Sequence, residues 1–424
     1  MNRPLSYVLD GIQCEPRLFT VPLDHQHEDG PELTLFARTL CRKDKLDADL
    51  PWLLYLQGGP GFGAPRPTNQ SSWLKRALQE FRVVLLDQRG TGHSTPVSAE
   101  ALAHLSPTEQ ASYLSHFRAD SIVRDAELIR AQLSPHRPWS LLGQSFGGFC
   151  CLSYLSLFPK ALHEVYITGG VPPMGRSAEE VYRATYLRVA DKNRAFFDRF
   201  PHAQALVNRL AKHLHQHEVR LPNGQRLTVE QLQQQGLDLG ATGAFEGLYF
   251  LLEDAFIGER INPAFLYQIQ AMQPFNAHPI FAILHEAIYA EQQASDWAAE
   301  RVRREYPELA WAPGQDLAFT GEMIYPWMFE QFRELLPLKE AAQLLAKKAD
   351  WGSLYDPRQL QQNQVPVACA VYADDMYVEF DFSRETLKGL GNSRAWITNE
   401  YEHNGLRADG EYILDRLIRL NRDR

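Results

Sequence analysis

The sequence predicts an α/β fold with a mostly parallel sheet and a large, mainly helical cap insertion. Short continuous apolar runs, such as 52–57 and 139–142, alternate with stretches of helical spacing. A strand covered by helices on both faces reads as such a run, not as alternating apolar and polar positions. These runs end in breaks rich in glycine or aspartate, where the ligand-binding loops of a parallel sheet gather. Residues 173–350 then carry apolar positions at spacings of three and four before strand-like sequence returns at 366. The expected division is a principal α/β domain of 1–172 plus 351–424, interrupted by a cap of 173–350.

A chain of 424 residues is long for one domain, and a principal domain with an insertion accommodates that length. Its 45% hydrophobic and 22% charged residues are ordinary globular composition. The net charge of −9 argues against nucleic acid and anionic membrane as partners. The first residues form no apolar signal segment, and no run of 18 apolar residues follows, so a soluble cytoplasmic protein is expected. Five scattered cysteines, Cys14, Cys41, Cys150, Cys151 and Cys369, suit a reducing compartment and match no zinc or redox spacing. Cys150 and Cys151 read as small packing residues in a helix.

Residues 17–24 and 32–40, bounded by turn formers, predict an antiparallel opening pair. The buried strand 52–57 runs into Gly58-Gly59-Pro60-Gly61-Phe62-Gly63, a shaped loop. A helix over 72–80 precedes strand 81–86, which ends at Asp87-Gln88-Arg89-Gly90-Thr91-Gly92. Residues 115–133 align Ile122, Ala126 and Ile129 on one helical face. Strand 139–142, a helix and strand 164–168 follow. In the cap, helical spacing marks 178–200, 203–218, 245–256, 294–306 and 328–348, with a loop at 221–224. Strand 366–373, a helix near 382–390, strand 393–398, a loop holding His403 and an amphipathic helix over 409–420 complete the chain.

Between strand and helix, Gly143-Gln144-Ser145-Phe146-Gly147 fits G-x-S-x-G, the sharp turn that lifts a serine oxygen clear of the backbone. Residues without a bulky Cβ let the helix and strand close on each other there. Ser145 would stand at a helix N-terminus, whose N–H groups face any developing negative charge. A serine hydroxyl needs a base to remove its proton, and the base needs an acid to fix its tautomer. In chain order these are an acid after a late strand, Asp374 or Asp375, and then His403. The strand's alternation does not choose between the two acids. Two oxyanion donors are also required, and the N–H groups of Phe146 and Gly59 are the candidates. Asp87-Gln88-Arg89-Gly90 reads as scaffold, a carboxylate and guanidinium locking adjacent loops. Cap carboxylates Glu246, Glu253, Asp254, Glu286 and Glu322 lie among aromatic residues, a composition suited to a pocket for an ammonium group beside an apolar ring.

Several other motifs carry no chemistry. His213, His215 and His217 lack a further placed ligand and read as a solvated helix face. His285-Glu286 is not a zinc-peptidase motif, since position 289 is tyrosine. The Gly58–Gly63 loop lacks the Lys-Ser/Thr ending of a phosphate loop.

Together, Gln57-Gly58-Gly59-Pro60-Gly61, the run from Asp87 to Ser94 (DQRGTGHS) and Gly143 to Gly148 resemble the signatures of the proline iminopeptidase (prolyl aminopeptidase) family of serine peptidases, within the α/β-hydrolase superfamily. The resemblance implies an α/β-hydrolase fold and an exopeptidase that removes N-terminal proline from short peptides through an acyl-enzyme, with neither metal nor cofactor. It implies a triad of Ser145, Asp375 and His403, the strand-end pattern of residues 372–375 selecting Asp375. It also assigns the substrate's amine to Glu246 (Phe-Glu-Gly at 245–247), Glu286 (Glu-x-x-Tyr at 286–289) and Glu322. Gln57 departs from the family's usual histidine, which leaves the backbone donors in place. An esterase or an aminopeptidase of broader first-residue specificity fits the same motifs, and a non-catalytic binding protein fits them less well.

Overall fold

The computed structural model describes residues 5–27 and 29–423. Among these residues nine strands form one sheet: β1 (Tyr7–Leu9), β2 (Ile12–Pro22), β3 (Glu32–Arg42), β4 (Trp52–Leu56), β5 (Arg82–Leu86), β6 (Trp139–Gln144), β7 (Leu162–Thr168), β12 (Val367–Tyr372) and β13 (Ser393–Thr398). The intervening β8 (Val219–Arg220) with β9 (Arg226–Leu227), and β10 (Phe256–Ile257) with β11 (Arg260–Ile261), are two small separate ribbons. The sheet order is β1-β2-β3-β5-β4-β6-β7-β12-β13. The first three strands and the β3–β5 pairing are antiparallel, and β5 through β13 are parallel.

Strand side chains divide the core in two. Leu54, Leu56, Val84, Leu86, Leu141, Val165 and Ile167 face one side with Ile122, Val123, Ala126 and Ile129. Leu53, Tyr55, Val83, Leu85, Leu142, Tyr166, Ala368 and Ala370 face the other with Trp73, Leu74, Ile413, Leu414 and Leu417. This is period-two alternation with both faces buried, the arrangement that yields continuous apolar strands. Each aliphatic side chain so buried contributes about 1.5–3 kcal/mol. The covering helices before the insertion are α1 (Ser72–Ala77), α2 (Pro107–Leu114), α3 (Ala119–Leu133) and α4 (Phe146–Leu157).

Between β7 and β12 the chain adds no strand to this sheet. It forms α5 (Ala178–Arg199), α6 (Ala203–Gln216), α7 (Val229–Gln233), α8 (Ala244–Glu253), α9 (Pro263–Ala271), α10 (Pro279–Leu284), α11 (Ala298–Arg303), α12 (Met328–Gln331), α13 (Lys339–Lys347) and α14 (Pro357–Gln361). A reciprocal capping box fixes the start of α5: Glu180 N–H donates to Ser177 Oγ and Ser177 N–H to the Glu180 carboxylate. The apolar cluster on the α3–α4 side continues into this region through Tyr182, Tyr186, Phe196, Phe281 and Phe319. After β12 come α15 (Phe380–Lys388), α16 (Gly405–Ala408) and α17 (Gly410–Arg422).

The insertion departs from its predicted helices at identifiable places. The segment 328–348 breaks into α12 and α13 around Pro337, which lacks the N–H a continuous helix needs. Likewise 294–306 shrinks to the six residues of α11, and the helix expected over 72–80 closes at Ala77. Among the described residues, no helix is long and apolar enough to cross a membrane.

Candidate active site

Ser145 lies between the end of β6 and the start of α4, with φ +56° and ψ −125°. That backbone region is costly for a residue with a Cβ, and the surroundings hold it by force of packing and hydrogen bonds. Ser145 N–H donates to Thr168 O at 3.0 Å, and Gly148 N–H donates to Ser145 O at 2.7 Å. A Cβ on Gly147 would come within 2.0 Å of Leu56 O, and one on Gly143 within 2.4 Å of Gly147 O. The glycines of the motif are therefore demanded by the contact between helix and sheet.

His403 follows β13, and its Nε2 is 2.9 Å from Ser145 Oγ. Its Nδ1 is 2.7 Å from Asp375 Oδ2, just beyond β12. The other Asp375 oxygen accepts from the N–H groups of Tyr377 at 2.8 Å and Val378 at 3.0 Å, which fixes the carboxylate's orientation. Asp375 is buried and Asp374 is the exposed neighbour, which separates the two candidate acids. Burial opposes the charged imidazole, but the adjacent Asp375 carboxylate outweighs it, so the His403 pKa is raised from 6.5. The Tyr377 ring packs on the imidazole with centroids 4.6 Å apart.

The glycine loop after β4 meets Ser145 from the other side. A Cβ on Gly58 would lie 2.9 Å from Ser145 Cβ, and Gly59 has φ +139°, a conformation that glycine adopts without strain. Phe146 is the first residue of α4, so its N–H has no partner within the helix. Gly59 lines the cavity with Ser145, and Phe146 follows Ser145 at the start of α4. Asp87 secures this loop by accepting from Ala64 N–H and, bidentately, from Arg66, both oxygens at 2.7 Å, and from His93 N–H at 2.9 Å. Arg89 pairs instead with buried Asp125 at 2.7 and 2.6 Å. The lock expected within Asp87–Gly90 is two locks, each to a residue outside the motif.

Ser145 and His403 open into a cavity of about 290 Å³ lined also by Gly58, Gly59, Phe62, Leu237, Asp238, Met272, Phe281, Glu322, Tyr377 and Arg407. Of the three cap glutamates singled out by resemblance, the structure brings one here. Glu322 faces the cavity, and its nearest basic neighbour is His285 Nε2 at 3.8 Å. That histidine is held near pKa 4 by burial and is neutral at pH 7. Burial pushes the Glu322 carboxyl up to about 8, against the opposing pull of His403.

Glu246 and Glu286 are placed elsewhere. Glu246, in α8, is half-buried and ion-paired with Arg199, away from the cavity lining. Glu286 is buried and caps α11, accepting from Ala298 N–H at 3.2 Å and Ala299 N–H at 2.9 Å. Their amine-binding role, carried over from sequence patterns, has no support in this geometry. Asp238, which sequence reading missed, lines the cavity from a 3₁₀ turn at Gln234–Asp238. Its only sequence signal is an acid between leucines in Gly-Leu-Asp-Leu-Gly. The histidines of α6 pack sideways: His213 on Phe256 and His215 on Trp311.

Residues 51–282, over half the chain, match the alpha/beta hydrolase fold family model. The chain is 80% identical, over the full length of both proteins, to a proline iminopeptidase of Aeromonas sobria. It belongs to the proline iminopeptidase family. A second member, proline iminopeptidase aneH of Aspergillus aculeatus, is 36% identical over 96% of this chain and 93% of its own. Among solved structures, 2-hydroxy-6-oxo-6-phenylhexa-2,4-dienoate hydrolase from Rhodococcus sp. strain RHA1 superposes with a TM-score of 0.45 at 15% identity, covering 97% of this chain and all of that one. In this proline iminopeptidase family member Ser145 and His403 of the hydrogen-bonded series Asp375–His403–Ser145 line the cavity together with Glu322.

Proposed function

We propose that this chain is a serine exopeptidase that releases proline from the N-terminus of short peptides through an acyl-enzyme. His403 Nε2 takes the Ser145 proton as Oγ attacks the carbonyl of the first residue. The N–H groups of Phe146 and Gly59 hold the oxyanion, and Asp375 keeps the imidazole in the tautomer that presents Nε2 as base. His403 then returns the proton to the departing amine, and water releases the acyl group by the same steps in reverse order.

The observation that carries the substrate class is Glu322, a carboxyl group in the same cavity as Ser145 that no Lys or Arg among the described residues pairs with. A secondary ammonium at the end of a peptide would supply the missing charge, and a blocked terminus would leave the carboxylate unpaired at a cost of several kcal/mol. The small cavity and its apolar walls, Phe62, Phe281 and Met272, suit a pyrrolidine ring. The curated relatives named above carry the same activity in their names.

The test is the rate of release from prolyl anilide against N-acetyl-prolyl anilide. The proposal expects at least a hundredfold preference for the free terminus. Comparable rates for the two would replace it with an amidase or esterase indifferent to the amine.

A further inference from the structure

Arg407 is the one Lys or Arg side chain lining the cavity among the described residues. It stands in α16, four residues beyond His403, and among the described residues no carboxylate forms an ion pair with it. The guanidinium and the Glu322 carboxyl group both border the cavity that holds Ser145 and His403. The base of this side chain is rigid. Gly405 and Leu406 are buried, a Cβ on Gly405 would strike Tyr372 Oη at 2.4 Å, and Ser72 Oγ donates to Leu406 O at 3.3 Å.

The chemistry assigns a task to this guanidinium. His403 must hand its proton to the leaving nitrogen, so the second residue of the substrate lies on the imidazole side of Ser145. In a dipeptide the α-carboxylate is two bonds from that nitrogen. We propose that Arg407 binds the α-carboxylate of the leaving residue, so that free dipeptides beginning with proline are favoured over their C-terminal amides. This rests on the peptidase reading above and adds to it a site for the other end of the substrate. The cavity then carries an anion for the substrate's ammonium and a cation for its carboxylate. Guanidinium suits the role because its planar donors match a carboxylate bidentately.

The test compares kcat/KM for prolyl-glycine and prolyl-glycinamide in the wild type, Arg407→Gln and Arg407→Lys. The wild type should favour the free acid by roughly fivefold, a modest factor because Arg407 is exposed. Raising the salt concentration should shrink that ratio. Arg407→Gln should bring it close to one, and Arg407→Lys should keep part of it. Equal wild-type rates for acid and amide would overturn the proposal, as would a preference that survives in Arg407→Gln. Release of proline from neither peptide would instead overturn the peptidase reading on which it rests.

Discussion

Lys192 of α5 places its Nζ 2.7 Å from both carboxylate oxygens of Glu402, the residue immediately before His403. Two hydrogen bonds reinforce the tie: His403 N–H donates to Gly240 O at 3.2 Å, and Thr242 N–H donates to the Asn404 side-chain Oδ1 at 2.9 Å. The insertion thus does more than cover the strand ends, because it grips the loop that carries the base.

That grip should be visible in turnover. Lys192→Met keeps the aliphatic stem and removes the charge, freeing the Glu402–His403 loop. We expect kcat for prolyl anilide to fall by about tenfold with little change in KM, since Lys192 touches no substrate. A cycle with Glu402→Gln should give a coupling of about 1 kcal/mol. Strictly additive effects would show that the pair does not position the base.

The elbow predicts two opposite outcomes for one substitution. Gly147→Ala would place a methyl 2.0 Å from Leu56 O, between helix and sheet. It should cost about 3 kcal/mol or more, read as lost soluble yield or a lowered unfolding midpoint. Gly247→Ala, inside α8 with open space around its Cβ position, should instead stabilise by about 0.5–1 kcal/mol.

Glu322 sets a pH dependence. Its carboxyl must be ionised to hold an ammonium, and its pKa in the free protein is raised from 4.5 to about 8. kcat/KM for prolyl anilide should therefore rise through mildly alkaline pH, in the same direction as deprotonation of His403. Glu322→Gln should lower kcat/KM roughly a hundredfold at the plateau and remove the part of the rise that belongs to this group. Stability follows the opposite sign. A raised carboxyl favours the folded state below its unfolded pKa, and that contribution is lost as pH climbs through about 8. Glu322→Gln should thus gain unfolding temperature relative to wild type as pH goes from 6 to 9. A variant with unchanged kcat/KM would remove Glu322 from substrate binding.

The sheet and its catalytic loops were legible because their signals are local. β4, β6 and β12 are continuous apolar runs, and Ser145, Asp375 and His403 each follow a strand end. The insertion was less legible because its geometry is set by packing at a distance. Pro337 breaks a region whose apolar spacing alone reads as one helix, and the four-residue ribbons have too little sequence to show a period. The acids illustrate the point most clearly. Glu246, Glu286 and Glu322 are indistinguishable as residues among aromatics, but one meets Arg199, one meets the N–H groups of α11, and only the third meets the cavity. Asp238 reaches that cavity from a turn with no periodic pattern.

The nucleophile remains the point on which everything else turns, and Ser145→Ala examines it most directly. With folding checked by circular dichroism and thermal unfolding, turnover of prolyl anilide should fall by a factor of about 10⁴ or more. A folded Ser145→Ala protein that retains turnover within tenfold of wild type would contradict the account.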